Sequence, residues 1–355
     1  MDEQLRMFIH HQLNNSILKN IFSTHSIPVF FSIVFLISLT SVFAQNPEKP
    51  YIAVIEKVAG KVGFFNEDGK ELKHVKVGSF PHEAVLSNDG NFLYVSDNGV
   101  LWMTDPDEGT NTISIVNVHS MEKVGEIDLG RFHRPHGLGF VPGTDYLLAT
   151  TENPYGLVMV DVVKRKLVKD YDVKGKGPHM VTATLDGKQA FVSNTDSNTV
   201  AVIELATGDT KLIRTGARPQ GSVLSPDGRL LYVVNTGGNQ INIIDVDKKE
   251  IIGNIQTGKG PGRIKITPDG KTLVYNLQFE PGVGFADVES SKQVAVVQLS
   301  GRPLSLTMTN DGKRAFAGIQ DQNKVCFISV PERKIELIVD TPKDSGPDPA
   351  IPLRN

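Results

Sequence analysis

The sequence predicts an all-β fold, a seven-bladed β-propeller built from four-stranded blades. Residues 216–258 contain one unit of a repeat, with a Gly-x-x-Pro segment, a Ser-Pro-Asp-Gly turn and four short apolar runs. Short apolar runs that are bounded by Gly, Pro, Asn and Asp are typical of β-strands. Related units recur about every 42 residues, and a repeat of that period with four strands is typical of a propeller blade.

The units can be followed in order along the chain. Residues 51–77 correspond to the last three strands of a unit, and six complete units follow. Each complete unit has one turn between its first two strands, at Asn88-Asp89-Gly90, Pro142-Gly143, Asp186-Gly187, Asp227-Gly228, Asp269-Gly270 and Asp311-Gly312. Residues 346–355 resemble the first strand of a unit. We therefore expect this C-terminal strand to pair with the three N-terminal strands, which completes the seventh blade and closes the ring without an open edge.

Residues 1–44 are predicted to be a secretory signal peptide. An apolar run over residues 27–43 is followed by Ala44, and Val42 and Ala44 supply the small residues that a cleavage site needs. Cleavage after Ala44 leaves residues 45–355 as a single propeller domain, which we expect to be periplasmic or extracellular and to have no stable membrane span. The alternative is that the segment stays uncleaved as an anchor.

Composition and motifs exclude several classes of function. Lys and Arg number 37 against 40 Asp and Glu, and proteins that bind nucleic acid usually have a basic excess, so no nucleic-acid partner is expected. The chain has no nucleophile motif, phosphate-binding loop, dinucleotide fingerprint or CxxCH haem-attachment motif, so no cofactor is expected. Cys326 is the single cysteine and has no partner for an intramolecular disulfide. We expect a monomer.

Three motifs in the central unit carry a family resemblance. They are SPDG at 225–228, LYVVN at 231–235 and INIID at 241–245, and with them residues 51–355 resemble the YVTN-repeat β-propeller family. The resemblance implies the propeller fold, and similar repeats occur in surface-layer proteins, lactonase-type enzymes and haem-binding propellers. It therefore implies either an exported binding or interaction module, or a lactonase-like hydrolase or lyase.

The candidate site lies at the mouth of the central channel, on the face where each unit enters its first strand. The residues that follow the proline of the Gly-x-x-Pro segment are His82, His136, His179, Gln220, Gly262, Leu304 and, in the tail, Ala350. Three units have an arginine directly before that proline, at Arg134, Arg218 and Arg302. Residues on either side of a proline in an extended chain point to the same side, and Glu152 and Asn194 at the ends of second strands add polar groups to the same opening.

Imidazole and guanidinium groups in this arrangement suit a carboxylate, a phosphate or another oxyanion. We expect this mouth to bind a small anionic ligand or another extracytoplasmic protein, with no metal, and the histidines to titrate near pH 6.5. Three alternatives stay open: catalysis by the histidines, a metal bound by all three of them, and a solvated channel mouth without a ligand.

A long loop from Asp97 to Asn111 on the same face contains the only tryptophan, Trp102. It is a possible lid over the mouth. The alternative is that Trp102 packs the loop down on its own blade.

Overall fold

The computed structural model describes residues 48–353, and these residues form seven separate sheets of four antiparallel strands. This confirms the predicted seven-bladed β-propeller. The predicted signal peptide and its cleavage site lie outside the described residues. No helix among residues 48–353 is long and apolar enough to cross a membrane.

The strands follow in chain order. The first blade takes β1 (Ile52–Glu56), β2 (Lys61–Phe65) and β3 (Glu71–Lys76). The second and third blades are β4 (Pro81–Leu86), β5 (Phe92–Asp97), β6 (Thr112–Asn117), β7 (Glu122–Asp128), β8 (His133–Phe140), β9 (Tyr146–Asn153), β10 (Tyr155–Asp161) and β11 (Lys166–Tyr171). The fourth and fifth are β12 (Pro178–Ala183), β13 (Gln189–Asn194), β14 (Thr199–Glu204), β15 (Thr210–Arg214), β16 (Pro219–Leu224), β17 (Leu230–Asn235), β18 (Gln240–Asp245) and β19 (Glu250–Gln256).

The sixth and seventh blades are β20 (Pro261–Ile266), β21 (Thr272–Leu277), β22 (Gly282–Asp287), β23 (Lys292–Gln298), β24 (Ser305–Met308), β25 (Arg314–Ile319), β26 (Lys324–Ser329) and β27 (Lys334–Asp340). A 3-10 turn, Gln320–Gln322, follows β25. The last strand, β28 (Pro347–Pro352), returns to the first blade.

The ring is closed at the first blade, where the sheet order is β28-β1-β2-β3. Strand β28 is antiparallel to β1, with Ile52 opposite Pro352 and Val54 opposite Ala350. The seam is packed as well as hydrogen-bonded, because the Tyr51 ring lies 6.0 Å from the Phe316 ring of the seventh blade, which meets Phe327 at 4.9 Å. The predicted closure by the C-terminal strand is confirmed.

Five of the six turns between first and second strands, all except the one at Pro142-Gly143, have a common hydrogen-bond pattern. In the fifth blade the Ser225 hydroxyl donates to Asp227 Oδ1 at 2.6 Å, and the Arg229 amide donates to the same oxygen at 3.1 Å. A short acidic side chain can bond the backbone two residues on, and Gly228 takes the positive φ of 73° that follows. In these five blades the Asp-Gly sequence therefore ends the first strand at the same point of the unit.

The innermost strands contact one another in cyclic order around the channel. Five of the seven, all except β8 and β24, begin with a proline, and β8 has Pro135 as its third residue. In these six strands a register shift directly follows the proline, as between Pro81 and Ala84 in β4. Such an irregularity breaks the strict alternation of side chains along a strand. As a result two consecutive residues, His82 and Glu83, are both buried at the channel.

Candidate functional site

A ring of side chains surrounds the channel mouth, and each follows the proline near the start of an innermost strand. Together with part of the loop after β5, they line a cavity of about 280 Å³, here called the channel-mouth cavity. The ring members that line it are His82, His136, His179, Gln220, Leu304 and Asp348.

Asp348 occupies the ring position that the sequence comparison gave to Ala350. The tail has prolines at 347 and 349, and the comparison used the second one. In the sheet Pro347 takes the proline position, because the register shift between β28 and β1 follows it as it does in the other innermost strands. The expectation for Ala350 is therefore wrong, and the ring contains a buried carboxylate in place of a methyl group.

The three histidines lie side by side. The His82 and His136 ring centroids are 4.0 Å apart, and those of His136 and His179 are 4.2 Å apart. Strands β8 and β12 approach closely here because Gly137 has no side chain, and a Cβ at that position would clash with the His179 carbonyl oxygen. The Thr150 hydroxyl joins the two strands, since it accepts from the Gly137 amide at 2.8 Å and donates to the His179 carbonyl at 2.7 Å.

Glu152, which is near the end of β9, holds two of the predicted site residues. Its Oε1 lies 2.6 Å from His136 Nδ1, and its Oε2 lies 2.8 Å from Arg134 Nη2. Arg134 and His136 therefore meet at one carboxylate. Arg134 has a φ of 56° and is not extended, so the extended geometry expected around Pro135 does not hold at Arg134. Burial raises the pKa of Glu152 to about 7, although Arg134 and Lys57 act in the opposite direction.

Lys57, which directly follows β1, reaches the other side of the histidine row. Its Nζ lies 2.7 Å from His82 Nδ1 and 4.0 Å from Asp348 Oδ2. Burial lowers the pKa of Lys57 and raises the pKa of Asp348. When Lys57 is charged its ammonium can only donate, and neutral His82 then carries its proton on Nε2. The same Nδ1 lies 3.3 Å from Asp348 Oδ2.

A buried ion pair lies next to the histidines. Arg263 Nε in the sixth blade donates to Glu83 Oε1 in the second blade at 2.9 Å, and Arg263 Nη2 contacts the same oxygen. Burial raises the pKa of Glu83, while Arg263 acts against that rise. The sequence comparison missed both residues because they are the second residue after the proline, a position that strict alternation would turn away from the channel.

The folded protein keeps the three histidines neutral at physiological pH. Burial lowers the pKa of His82, His136 and His179 well below 6.5, and nearby cations, including Lys57 and Arg263, lower it further. The expectation that they titrate near pH 6.5 is therefore wrong. Positive charge in the cavity comes from lysine and arginine side chains instead.

Some buried polar atoms of the cavity lack a hydrogen-bond partner among the residues that the structure describes. They include His136 Nε2, His179 Nδ1 and Asp348 Oδ1. A buried polar atom without a partner costs free energy, so these atoms mark places where a bound molecule would form hydrogen bonds. When Glu152 is ionised it can only accept from His136 Nδ1, and His136 Nε2 is then a hydrogen-bond acceptor.

The remaining predicted site residues do not all reach this cavity. Arg218 lines it and is half-exposed, with an ion pair of 3.3 Å to Asp196. Arg302 lines a neighbouring groove. Asn194 is not among the lining residues, because its amide donates to the Val173 carbonyl at 3.0 Å and so ties down the segment that leads into β12.

The loop between β5 and β6, residues 98–111, is here called the Trp102 loop. Arg134 fixes it to the third blade by donating to the carbonyls of Asp105 at 3.1 Å, Met103 at 2.9 Å and Trp102 at 3.4 Å. The Trp102 side chain is 51% exposed and lines the channel-mouth cavity, with Lys57 Nζ 5.9 Å from its ring centroid. The indole therefore stands at the mouth, and its role as a lid stays a prediction.

One group of potential metal ligands converges within residues 48–353. Ligand atoms of His82, Glu83 and His136 all lie within 4.8 Å of one another. His179 is not part of this group, so the set differs from the three-histidine alternative. Glu83 is already bonded to Arg263, and His82 to Lys57, which leaves the unpartnered His136 Nε2 as the available ligand atom.

Two family models match parts of the sequence. Residues 10–220, more than half of the sequence, match the family model described as choice-of-anchor I domain. The chain belongs to the choice-of-anchor I domain family. Residues 144–314 match the YNCE-like beta-propeller model, which, with the seven blades, confirms the predicted likeness to YVTN-repeat propellers. Membership of the choice-of-anchor family indicates a secreted or cell-surface protein.

Two solved structures show how widely this fold is shared. A functionally unknown protein from Desulfotomaculum acetoxidans DSM 771 is 15% identical, with a TM-score of 0.74 over 86% of this chain and 99% of its own. Kuenenia stuttgartiensis hydrazine synthase is 19% identical, with a TM-score of 0.63 over 74% of this chain and 86% of its own. At these identities the likeness is one of fold. No curated protein matches the sequence.

Proposed function

We propose that this choice-of-anchor I propeller is an extracytoplasmic binding module that holds a small anionic ligand in its channel-mouth cavity. The proposal rests on the charged side chains that line the cavity, of which more are basic than acidic. Lys57, Arg218 and Arg263 line the cavity against the single carboxylate of Asp348. Arg218 is paired with Asp196 and Arg263 with Glu83, but neither of these partners is among the lining residues. A carboxylate, phosphate or other oxyanion at the centre of this wall would meet cations on several sides.

The neutral histidines complete this pocket with hydrogen bonds rather than charge. His179 Nδ1 has no partner among the described residues and can donate a proton to an anionic oxygen. His136 Nε2 can accept from a hydroxyl of the same ligand. A ligand that satisfied both atoms would remove the free-energy cost of leaving them buried and unpaired.

Calorimetric titration with acetate, phosphate and a panel of hydroxy acids tests the proposal. Arg218→Ala and His179→Ala should each weaken binding about tenfold or more, since each removes a charged or buried hydrogen bond. His119→Ala is the matched control, because His119 is exposed and bonds Asn91 far from the mouth. If no anion binds, or if the cavity variants bind as tightly as the control, the proposal fails and a protein partner on the outer rim is favoured.

A second candidate function is a lactonase-like hydrolase or lyase, and the Glu152–His136 contact of 2.6 Å favours it. A carboxylate that holds Nδ1–H leaves Nε2 free to take a proton from an attacking water. Turnover of a lactone panel that disappears in His136→Ala would support catalysis, whereas ligand binding without turnover supports the binding module.

A further inference from the structure

An apolar groove lies beside the channel-mouth cavity and is here called the rim groove. Its volume is about 490 Å³, and its apolar lining includes Val58, Leu101, Trp102, Phe279 and Leu304. Trp102 is 51% exposed and Phe279 is 59% exposed. Two large aromatic side chains that are more than half exposed on the same groove mark a surface that gains free energy when it is covered.

The rim groove and the channel-mouth cavity are adjacent and share part of their lining. Leu101, Trp102, Gln278 and Leu304 line both of them. The combined recess therefore has a charged inner end, with Lys57 and Arg263, and a mainly apolar outer end whose lining also includes Arg302 and Asp321. A ligand that fills it must match both surfaces.

The outer end is held in place before any ligand binds. Arg134 donates to the carbonyls of the Trp102 loop, as described above. Phe279 is fixed in the turn after β21 by its amide, which donates to the Lys259 carbonyl at 3.2 Å, and its ring lies where a Cβ on Gly260 would clash with it. Because the backbone is held at both aromatic residues, binding against them would cost little ordering of the backbone.

We propose that the ligand of this recess is an amphipathic monocarboxylate, with its carboxylate in the channel-mouth cavity and an extended apolar body on Trp102 and Phe279. This inference rests on the proposed anion-binding function and specifies the ligand class. The cations supply the head-group site, and the two aromatic side chains supply the contact surface for the body.

The single tryptophan of the chain reports directly on this binding mode. Acetate, hexanoate, decanoate and 1-decanol are titrated, with calorimetry for affinity and indole emission for contact with Trp102. Affinity should rise along the carboxylate series by about fourfold for each methylene that becomes buried, following about 0.8 kcal/mol per methylene. Hexanoate and decanoate should shift the emission, acetate should not, and 1-decanol should bind at least tenfold more weakly than decanoate.

Phe279→Ala should lower decanoate affinity at least tenfold and leave acetate affinity unchanged. Ile252→Ala, which removes an exposed side chain from the outermost strand of the fifth blade, is the matched control and should leave both affinities unchanged. Acetate binding with no dependence on chain length or on Phe279 overturns this inference but leaves anion binding intact. Equal affinities for decanoate and 1-decanol also overturn this inference, whereas failure of acetate, phosphate and every hydroxy acid to bind overturns the anion proposal itself.

Discussion

Arg263 and Glu83 are 180 residues apart in the sequence and meet as a buried ion pair at the central channel. One belongs to the sixth blade and the other to the second, so the pair joins blades that are not neighbours in the ring. Both side chains are less than a tenth exposed. Separating them leaves one buried charge without a partner, which is more costly than losing an ion pair at the surface.

Removing one partner of this pair should destabilise the propeller strongly. We expect Arg263→Met and Glu83→Met each to lower the free energy of unfolding by about 3–5 kcal/mol. The double variant should lose much less than the sum, because it leaves no unpaired charge. Urea unfolding of the four proteins at one pH gives the coupling energy.

Arg229→Met is the control for this cycle, since Arg229 pairs with Asp227 at the surface with a side chain that is 80% exposed. It should cost less than about 1 kcal/mol. Additive losses in the double variant would mean that the two side chains contribute independently and that their contact has no special role in stability.

Glu152 should make the stability of the protein fall as the pH rises. Its pKa in the folded chain is about 7, above its ordinary value of 4.5. Between these values the folded protein holds a proton that the unfolded chain has lost, so stability decreases with rising pH in this window. Relative to Glu152→Gln, the wild type should lose up to about 3 kcal/mol between pH 4.5 and 8, since a pKa difference of one corresponds to about 1.4 kcal/mol.

The three histidines have the opposite effect on stability. Their pKa values are lowered in the folded protein, so the unfolded chain binds more protons below pH 6.5 and stability rises with pH there. Both proteins in the comparison retain these histidines, so the difference between their unfolding free energies reports on Glu152. Chemical denaturation at a series of pH values measures it, with the exposed Glu126→Gln as control. A difference that stays constant across the series would show that Glu152 remains ionised throughout.

Loss of the Arg134 guanidinium should release the Trp102 loop. The guanidinium donates to three carbonyls of that loop and also pairs with Glu152. In Arg134→Ala we expect a red shift of the tryptophan emission and cleavage within residues 98–111 at protease concentrations that leave the wild type intact. Arg131→Ala, a neighbouring exposed arginine paired with Asp170, should behave as the wild type does. Unchanged emission and protection would show that the loop is held by its own turn contacts.

Sequence periodicity predicted the blades well because the signals that define them are local. The turn at Asp227, the proline at the start of each innermost strand and the short apolar runs each fix a boundary without reference to distant parts of the chain. The closing strand was predicted for the same reason, since the tail repeats the beginning of a unit.

The chemistry of the channel mouth was harder to predict from the sequence. The contact between Glu83 and Arg263 depends on the register shift after each proline and on the width of the closed ring, and neither is visible in a repeat comparison. The ring position in the tail was predicted at Ala350 instead of Asp348, two residues too late, because the tail has two prolines. The titration of the histidines depends on their burial among several cations, which only the assembled ring produces.

Strand β28 should be essential for the stability of the ring, because it supplies the innermost strand of the first blade. Its removal leaves the backbone of β1 unpaired on one side and uncovers Ile52 and Val54, which are fully buried in the closed ring. Deletion of residues 346–355 should therefore lower the free energy of unfolding by several kcal/mol, on the order of a lost core element, and cause aggregation through the open edge. Removal of only the last two residues is the control and should have little effect.

A synthetic peptide with the sequence of residues 345–353 should restore the melting temperature of the truncated protein, whereas a scrambled peptide should not. Thermal unfolding measures the melting temperature, and light scattering measures the aggregation. A truncated protein that melts at the wild-type temperature without the peptide would show that the ring is held closed by contacts between blades and that pairing of β28 with β1 adds little to them.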